Sequence, residues 1–452
     1  MKETRATNHA LRALLDESGW TQEALARAVN AAAAEIGLRL RYDRTSVAHW
    51  LTGARPRADV VRLLAEVLSR RLGRPVSAAT LGLDPAPTSP STLLRRPARE
   101  ALADLAGIDA DPHRRHHLVH LPYRLDLPDS DTDPDTDPDE PTALSREPAR
   151  PFRRVGAAEV RALQLAVDAF APLTDSLGGG HGRTALAAFL ADDVTGWLQA
   201  HADDRTRHDL LTGAARLALL LARTHIDQYA HGLAQGYLRI ALSLATEADD
   251  PSTTVIILRT LSTQAHGIGH LRTALRLAEA AENAARGTPS SVRSFLHAQL
   301  AVCRAADGDR RAAVVSLSCA ERLGGRADEP SPGLFTSYAS TALQYQRAQA
   351  LSALHDHAGA VGALKTSLRN RSPADIRARA LVSAGLARLH LRIGHLEEAC
   401  AAWESFLDLY PRLNSVRADH ELAQLLQGLR PYHRQPAAER LRARARMMQR
   451  PD

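Results

Sequence analysis

Seven residues within a short stretch of the chain, Arg41, Arg44, Thr45, Ser46, His49, Arg55 and Arg57, could do chemistry together. Guanidinium groups fork onto guanine edges and phosphates, and hydroxyls and imidazoles donate to either, so the set suits a polyanion. Arg44 is placed to reach a base edge, with Thr45, Ser46 and His49 beside it. Arg41, Arg55 and Arg57 flank them as phosphate holders. Two other clusters invite chemistry. His113, His116, His117 and His120 fall at i, i+3, i+4 and i+7, a spacing that would serve a zinc or nickel ion on a helix. Pro112 disfavours that helix, and Arg114 and Arg115 set positive charge beside any cation, so a solvated basic patch is expected and no metal. The loop GGGHGRT, Gly178–Thr184, has Leu177 where a phosphate loop needs its first glycine and Arg183 where it needs lysine. A flexible helix–helix loop is expected there, with no nucleotide or other cofactor. Ser, His and acidic residues are abundant, yet no G-x-S-x-G nucleophile turn occurs, and no enzyme is expected.

The seven residues need two helices to position them. Thr21 can cap a helix carrying Glu23, Leu25, Ala26, Ala28 and Val29. A second fits Arg44–Leu51, capped by Asp43 or Thr45, with Val47, Trp50 and Leu51 on one apolar face. Arg44, Thr45, Ser46 and His49 then point the other way. Gly53 stops this helix and Pro56 opens the next. Two short helices with a polar outer face on the second describe a helix-turn-helix. The motifs WTQEALA and TSVAHWLTG resemble the Xre (lambda-repressor-like) family of DNA-binding domains. About ten extra residues, Ala31–Leu40, lengthen the second helix and the turn, and Leu51 replaces the usual acidic residue. The RYDR lead-in and the WLTG exit are similar to an actinomycete branch of that family. The resemblance implies that the second helix reads double-stranded DNA in the major groove.

The 452 residues suggest several domains, and Ala and Leu dominate the apolar content, which favours helices. Residues 1–83 carry thirteen Lys/Arg against eight acids, most of the chain's net charge of +6. Residues 84–150 read as a Pro- and Asp-rich linker, largely disordered, with one short helix through Leu93–Leu105. Its run Asp126–Pro141 holds eight acids and no base. Three cysteines, Cys303, Cys319 and Cys400, are widely spaced and read as reduced core thiols. The N-terminus is too polar for a signal peptide and no apolar run spans a membrane, so a cytoplasmic location away from membranes is expected.

From 151 to 452 the pattern is helical and repetitive. GHLRTALRLAEAA, GDRRAAVVSLSCA, HDHAGAVGALKTS and GHLEEACAAWESF align without gaps and place Ala274, Ala313, Ala360 and Ala399 in register, with Ala234 in an earlier copy. Successive alanines lie 40, 39, 47 and 39 residues apart. Twelve positions earlier stand Ala222, Ser262, Ala301, Ala348 and Ala387, small enough for a paired helix to approach. The unit resembles the tetratricopeptide repeat. The last copy fits best, with Leu386, Ala387, His390, Ala399, Trp403, Phe406 and Pro411 at that motif's spacings. The periods exceed the usual length of about 34 residues. The resemblance implies an all-α chain: an N-terminal lambda-repressor-like domain and a C-terminal tetratricopeptide-like α-solenoid, its pairs stacked into a right-handed superhelix.

The whole order is similar to actinomycete regulators of differentiation and secondary metabolism, and in architecture to peptide-sensing regulators of Gram-positive bacteria. It implies a transcriptional regulator that binds an inverted-repeat operator as a homodimer through its repeats. A protein-interaction adaptor built on the repeats is the competing reading. The resemblance also implies a concave groove lined by Arg216 and Arg223, Arg259 and His266, Tyr345 and Gln349, and Arg388 and Arg392. That basic groove would take a peptide, a small molecule or a protein effector. The acidic stretch Asp126–Glu140 is expected to lie in or near it until an effector displaces it.

Overall fold

In the computed structural model, which describes residues 7–83, 96–125, 154–325 and 340–449, every regular element is helical and no strand occurs among the described residues. No described helix is long and apolar enough to cross a membrane. The chain forms two compact units. The first comprises Met1–Phe152 with two later pieces, Ala187–Gln199 and Tyr229–Tyr237; the second comprises the rest. Division by composition at residue 151 does not anticipate those two pieces.

The first unit opens with α1 (His9–Ser18), α2 (Gln22–Glu35), α3 (Arg44–Leu51) and α4 (Ala58–Leu72). Short side chains start three of these helices. Asn8, Thr21 and Asp43 accept the N–H of Leu11, Ala24 and Ser46. Gly19 and Gly73, at φ of 65° and 66°, end α1 and α4 in the left-handed conformation that glycine adopts without strain. Leu11, Leu14, Leu25, Val29, Val47, Trp50, Leu63, Leu64, Val67 and Leu68 meet in one core, closed by Val76, Leu81 and Leu83. Each such side chain contributes about 1.5–3 kcal/mol by leaving water.

Two more helices follow, α5 (Ala98–Ala110) and α6 (Pro112–Val119). The short helix expected near Leu93–Leu105 is α5; α6 lies in sequence expected to be linker. Pro112 does not prevent it, because it stands in the first turn, where its missing N–H costs nothing and Asp111 caps the His113 N–H. α5 packs on the stretch Leu190–Gln199, burying Ala101, Leu102, Leu105 and Ala106.

The second unit begins with α7 (Ala157–Leu177). A second run, α8 (Arg183–Phe189) and α9 (Thr195–Gln199), is joined by one π-helical turn and passes into the first unit. Then come α10 (Asp204–Asp227) and α11 (His231–Glu247), whose residues up to Tyr237 belong to the first unit, and four helix pairs: α12 (Pro251–Gly267) with α13 (Leu271–Ala284), α14 (Ser290–Ala306) with α15 (Arg310–Gly324), α16 (Ser340–Ala353) with α17 (His357–Asn370), and α18 (Ile376–Arg392) with α19 (Leu396–Leu409). α20 (Val416–Gly428) and α21 (Pro436–Met447) complete it. Each pair packs internally, and each packs on the next along the chain.

The aligned positions behave alike. Ala234, Ala274, Ala313, Ala360 and Ala399 are fully buried, and their small partners Ala222, Ser262, Ala301, Ala348 and Ala387 are buried too. The Ser262 hydroxyl donates to the Ala274 carbonyl at 2.7 Å, so this pairing is close enough for side chain to meet backbone. The turn residue five places before each alanine has positive φ in every copy: Tyr229, Gly269, Gly308, His355 and Gly394. In four copies the next N–H returns to the fifth carbonyl back, from His270, Asp309, Asp356 and His395, at 2.9–3.0 Å.

The series also closes. α7 packs on α10 and on α18 as well. The loop Gly178–Gly180 makes this possible, because a Cβ at any of the three would collide with Thr224, Asn414 or Ser415. Gly180 donates to the Asn414 carbonyl at 2.9 Å, and Asn414 to the Leu177 carbonyl at 2.8 Å. This loop is a packed junction rather than the flexible link expected from its composition. Asp227, wholly buried, accepts from the Gly179 N–H at 2.7 Å, the Arg377 Nε at 2.7 Å and the Ser415 hydroxyl at 3.0 Å.

Candidate nucleic-acid interface

The geometry around α3 is built from its first turn. Asp43 receives the Ser46 N–H and the Ser46 hydroxyl, both at 2.9 Å, and the Ser46 hydroxyl in turn takes the Asp43 N–H. The Ser46 N–H, more than the hydroxyl, holds the Asp43 carboxyl below the usual range. Ser46, expected among the outward residues, is therefore half-buried and committed to a capping box. Val47, Trp50 and Leu51 face the core, with the Tyr42 ring edge-on to Trp50 at 5.0 Å. Arg44, Thr45 and His49 are exposed on the opposite side. Gly53, at φ 92°, ends the helix, and exposed Arg55 and Arg57 follow it.

Between α2 and α3 lies a connection of eight residues, Ile36–Asp43. The expected lengthening falls partly on α2, which continues to Glu35, and partly on this connection. Asn30 fastens its far end, donating to the Tyr42 carbonyl at 2.8 Å and accepting the Tyr42 N–H at 2.9 Å. The first turn of α3 is thereby positioned from α2 despite the long connection.

Most arginines of this module divide by place, although Arg12 on α1 is also exposed and pairs with no acid among the described residues. On the α4 side they are engaged. Arg70 forks onto Glu35 at 2.8 and 2.9 Å and reaches Glu66 at 2.7 Å. Arg62 meets Asp59, Arg74 meets Glu17, and Arg71 stacks over Trp20 while donating to the Ser18 carbonyl. Around α3 the position is different. Arg27, Arg39, Arg41, Arg44 and Arg57 are exposed, and none pairs with an acid among the described residues.

Residues 11–84 match the SP15 N-terminal domain family. No curated protein matches the chain. The matched span runs from α1 to the residue after Leu83, the last core residue of the module just described. Arg27 and Arg39 are missing from the set expected from sequence, although the alternation of Leu and Arg across 38–41 was visible there.

The remaining part of the first unit fixes a short extended segment. Tyr123 is buried, and its carbonyl accepts from Arg70. Gln235 brackets the Arg124 backbone, accepting its N–H at 2.9 Å and donating to its carbonyl at 2.7 Å. The Leu125 N–H goes to Glu66 at 3.2 Å. Burial outweighs the nearby Arg70 charge and raises the Glu66 carboxyl. His113 and His116 are exposed on α6, His120 lies just past its end, and no group of three or more His, Cys, Asp or Glu among the described residues could hold a metal ion. Arg115, expected in a solvated patch, turns inward and meets buried Asp109 at 3.0 Å, which also takes the Tyr237 hydroxyl.

The residues expected in a basic groove are largely spoken for within the second unit. Arg216 approaches Asp250 at 3.7 Å, Arg223 meets Asp175 at 2.5 Å, and Arg388 reaches Glu421 at 3.4 Å. Arg259 is buried with its guanidinium 3.7 Å above the Phe295 ring, so it lines no surface. His266 is half-buried, and desolvation lowers its pKa. Gln349 donates to the Tyr345 hydroxyl at 3.3 Å, and Arg392 to the Ser352 hydroxyl at 3.4 Å. The acidic stretch Asp126–Glu140 lies outside the described residues.

Proposed function

We propose that the chain is a sequence-specific, DNA-binding transcriptional regulator of the kind that governs differentiation or secondary metabolism. In this reading α2 and α3 form the helix-turn-helix, α3 enters the major groove of double-stranded DNA, and residues 151–452, with their five repeat copies from α10 to α19, form the tetratricopeptide-like array that dimerises and takes an effector or partner. One observation carries it: Arg39, Arg41, Arg44 and Arg57, in the stretches before, within and after α3, are exposed and pair with no acid among the described residues, whereas Arg62, Arg70, Arg71 and Arg74 are engaged within the chain. An unneutralised cationic surface beside a short helix with polar outer residues suits a phosphate-lined groove. The resemblance of TQEALA and TSVAHWLTG to Xre domains supports the same reading. The paired state of Arg216, Arg223 and Arg388 favours an effector held by shape and neutral donors over one held by charge alone.

Selection of bound duplexes from a random pool tests the proposal. The full chain is expected to enrich a defined inverted repeat. Replacing Arg44 by alanine should weaken the selected site by about 1–3 kcal/mol and relax preference at one position. Arg57→Ala should weaken all duplexes alike. A chain that enriches no sequence and retains no duplex at low salt is not a DNA-binding regulator.

A further inference from the structure

We propose that the connection between α2 and α3 is a second DNA-contacting element, a rigid arm whose Arg39 and Arg41 hold backbone phosphates beside the groove that α3 occupies. This rests on the DNA-binding reading above and adds to it a contact that a short helix-to-helix turn lacks.

The arm has an alternating structure. Gly37, at φ 75°, turns the chain out of α2. Leu38, Leu40 and Tyr42 then pack against the module's core, while Arg39 and Arg41 between them are exposed. Period-two alternation puts both arginines on one face, roughly 6.5–7 Å apart along an extended backbone. That separation lets the two guanidiniums meet neighbouring phosphates of one strand. The backbone beneath them is fixed by the two Asn30 bonds to Tyr42 and by the packing of Tyr42 on Trp50. A cation on a fixed backbone loses less freedom on binding than one on a mobile loop.

Charge singles out the same face. Each end of the arm carries an acid, and each acid is engaged by a group other than Arg39, Arg41 or Arg44. Glu35 is held by Arg70 at 2.8 and 2.9 Å, and the Asp43 carboxylate accepts from Ser46 at the start of α3. Arg39, Arg41 and Arg44 therefore form a continuous run without an acid partner, reaching from the arm into the first turn of α3. A connection that served only to cover the core would need Leu38, Leu40 and Tyr42, but not two arginines on its outer side. Phosphates rather than base edges are the expected partners, since the arm lies flat on the module and projects no helix into a groove.

The test compares the full chain, the double variant Arg39→Ala/Arg41→Ala, its charge-keeping counterpart Arg39→Lys/Arg41→Lys, and Arg44→Ala. Binding to the selected duplex and to an unrelated one is measured across a series of salt concentrations. The alanine pair should lose affinity for both duplexes by the same factor, with a salt dependence shallower by about 1.8, or about 0.9 for each phosphate released. The lysine pair should restore the slope. If the alanine pair keeps the slope and affinity of the natural chain while Arg44→Ala loses selectivity, the arm is overturned and the helix-turn-helix stands. If the natural chain binds neither duplex, the DNA-binding reading falls and the arm falls with it.

Discussion

His266, on α12, is held below the ordinary histidine pKa by burial, which disfavours the imidazolium. Burial acts the same way, as the largest influence, on His297 and His390. The folded chain thus binds fewer protons than the unfolded chain once pH approaches the ordinary value. Stability must fall as pH drops through about 6.5 and level off above it. Thermal unfolding followed from about pH 7.5 to about pH 5.5 should show this decline, and His266→Gln should make it shallower. An unchanged decline in the variant would place the proton uptake elsewhere. The inward side of α3 was legible because Val47, Trp50 and Leu51 obey helical spacing. Ser46 was not, because a hydroxyl in a capping box and one that reads a groove are the same residue type. Arg259 was illegible for another reason: its partner Phe295 sits on a different helix pair, and no local pattern names it.

At the scale of elements, the sequence showed where α2, α3 and the second helices of the repeats begin, since Thr21, Asp43 and the turn residues act on their immediate neighbours. It did not show what holds the long connection after α2. Asn30 does so from mid-helix, a position that gives no capping or turn signal. Replacing Asn30 by alanine removes both bonds to the Tyr42 backbone and leaves a partly buried N–H and carbonyl unsatisfied. The cost should be about 1–3 kcal/mol. Hydrogen exchange at residues 38–46 should speed up well beyond that of α1 and α4, and, on the proposed DNA-binding reading, DNA affinity should fall even though no cation is removed. Uniform exchange across the module would show that Asn30 stabilises without positioning. α6 teaches a related point. Proline in the first turn and an aspartate before it start a helix, so residues 112–119 follow ordinary rules despite lying in Pro- and Asp-rich sequence.

At the scale of the whole molecule, the repeats were legible and their closure was not. Alanines at nearly even intervals show in the sequence and are all buried, and a positive φ marks each turn even where the residue is Tyr229 or His355. A repeat series read from sequence is open-ended, because each copy specifies only its neighbours. Joining α7 and α10 to α18 and α20 takes Gly178–Gly180, Asp227, Arg377, Asn414 and Ser415, residues far apart in the chain that belong to no repeat position. Asp227 is the centre of that junction and is wholly buried. Its removal leaves the partly buried Arg377 guanidinium and the buried Gly179 N–H without their acceptor, so Asp227→Ala should cost about 3 kcal/mol. Because Arg377 and Asp227 act through one contact, Arg377→Ala combined with Asp227→Ala should cost less than the two losses added together. Chemical unfolding of the single and double variants reads both values. Strict additivity, or an unfolding midpoint unmoved by Asp227→Ala, would mean that the helix pairs hold their arrangement without this junction and that the series is open in energetic terms even though its ends touch.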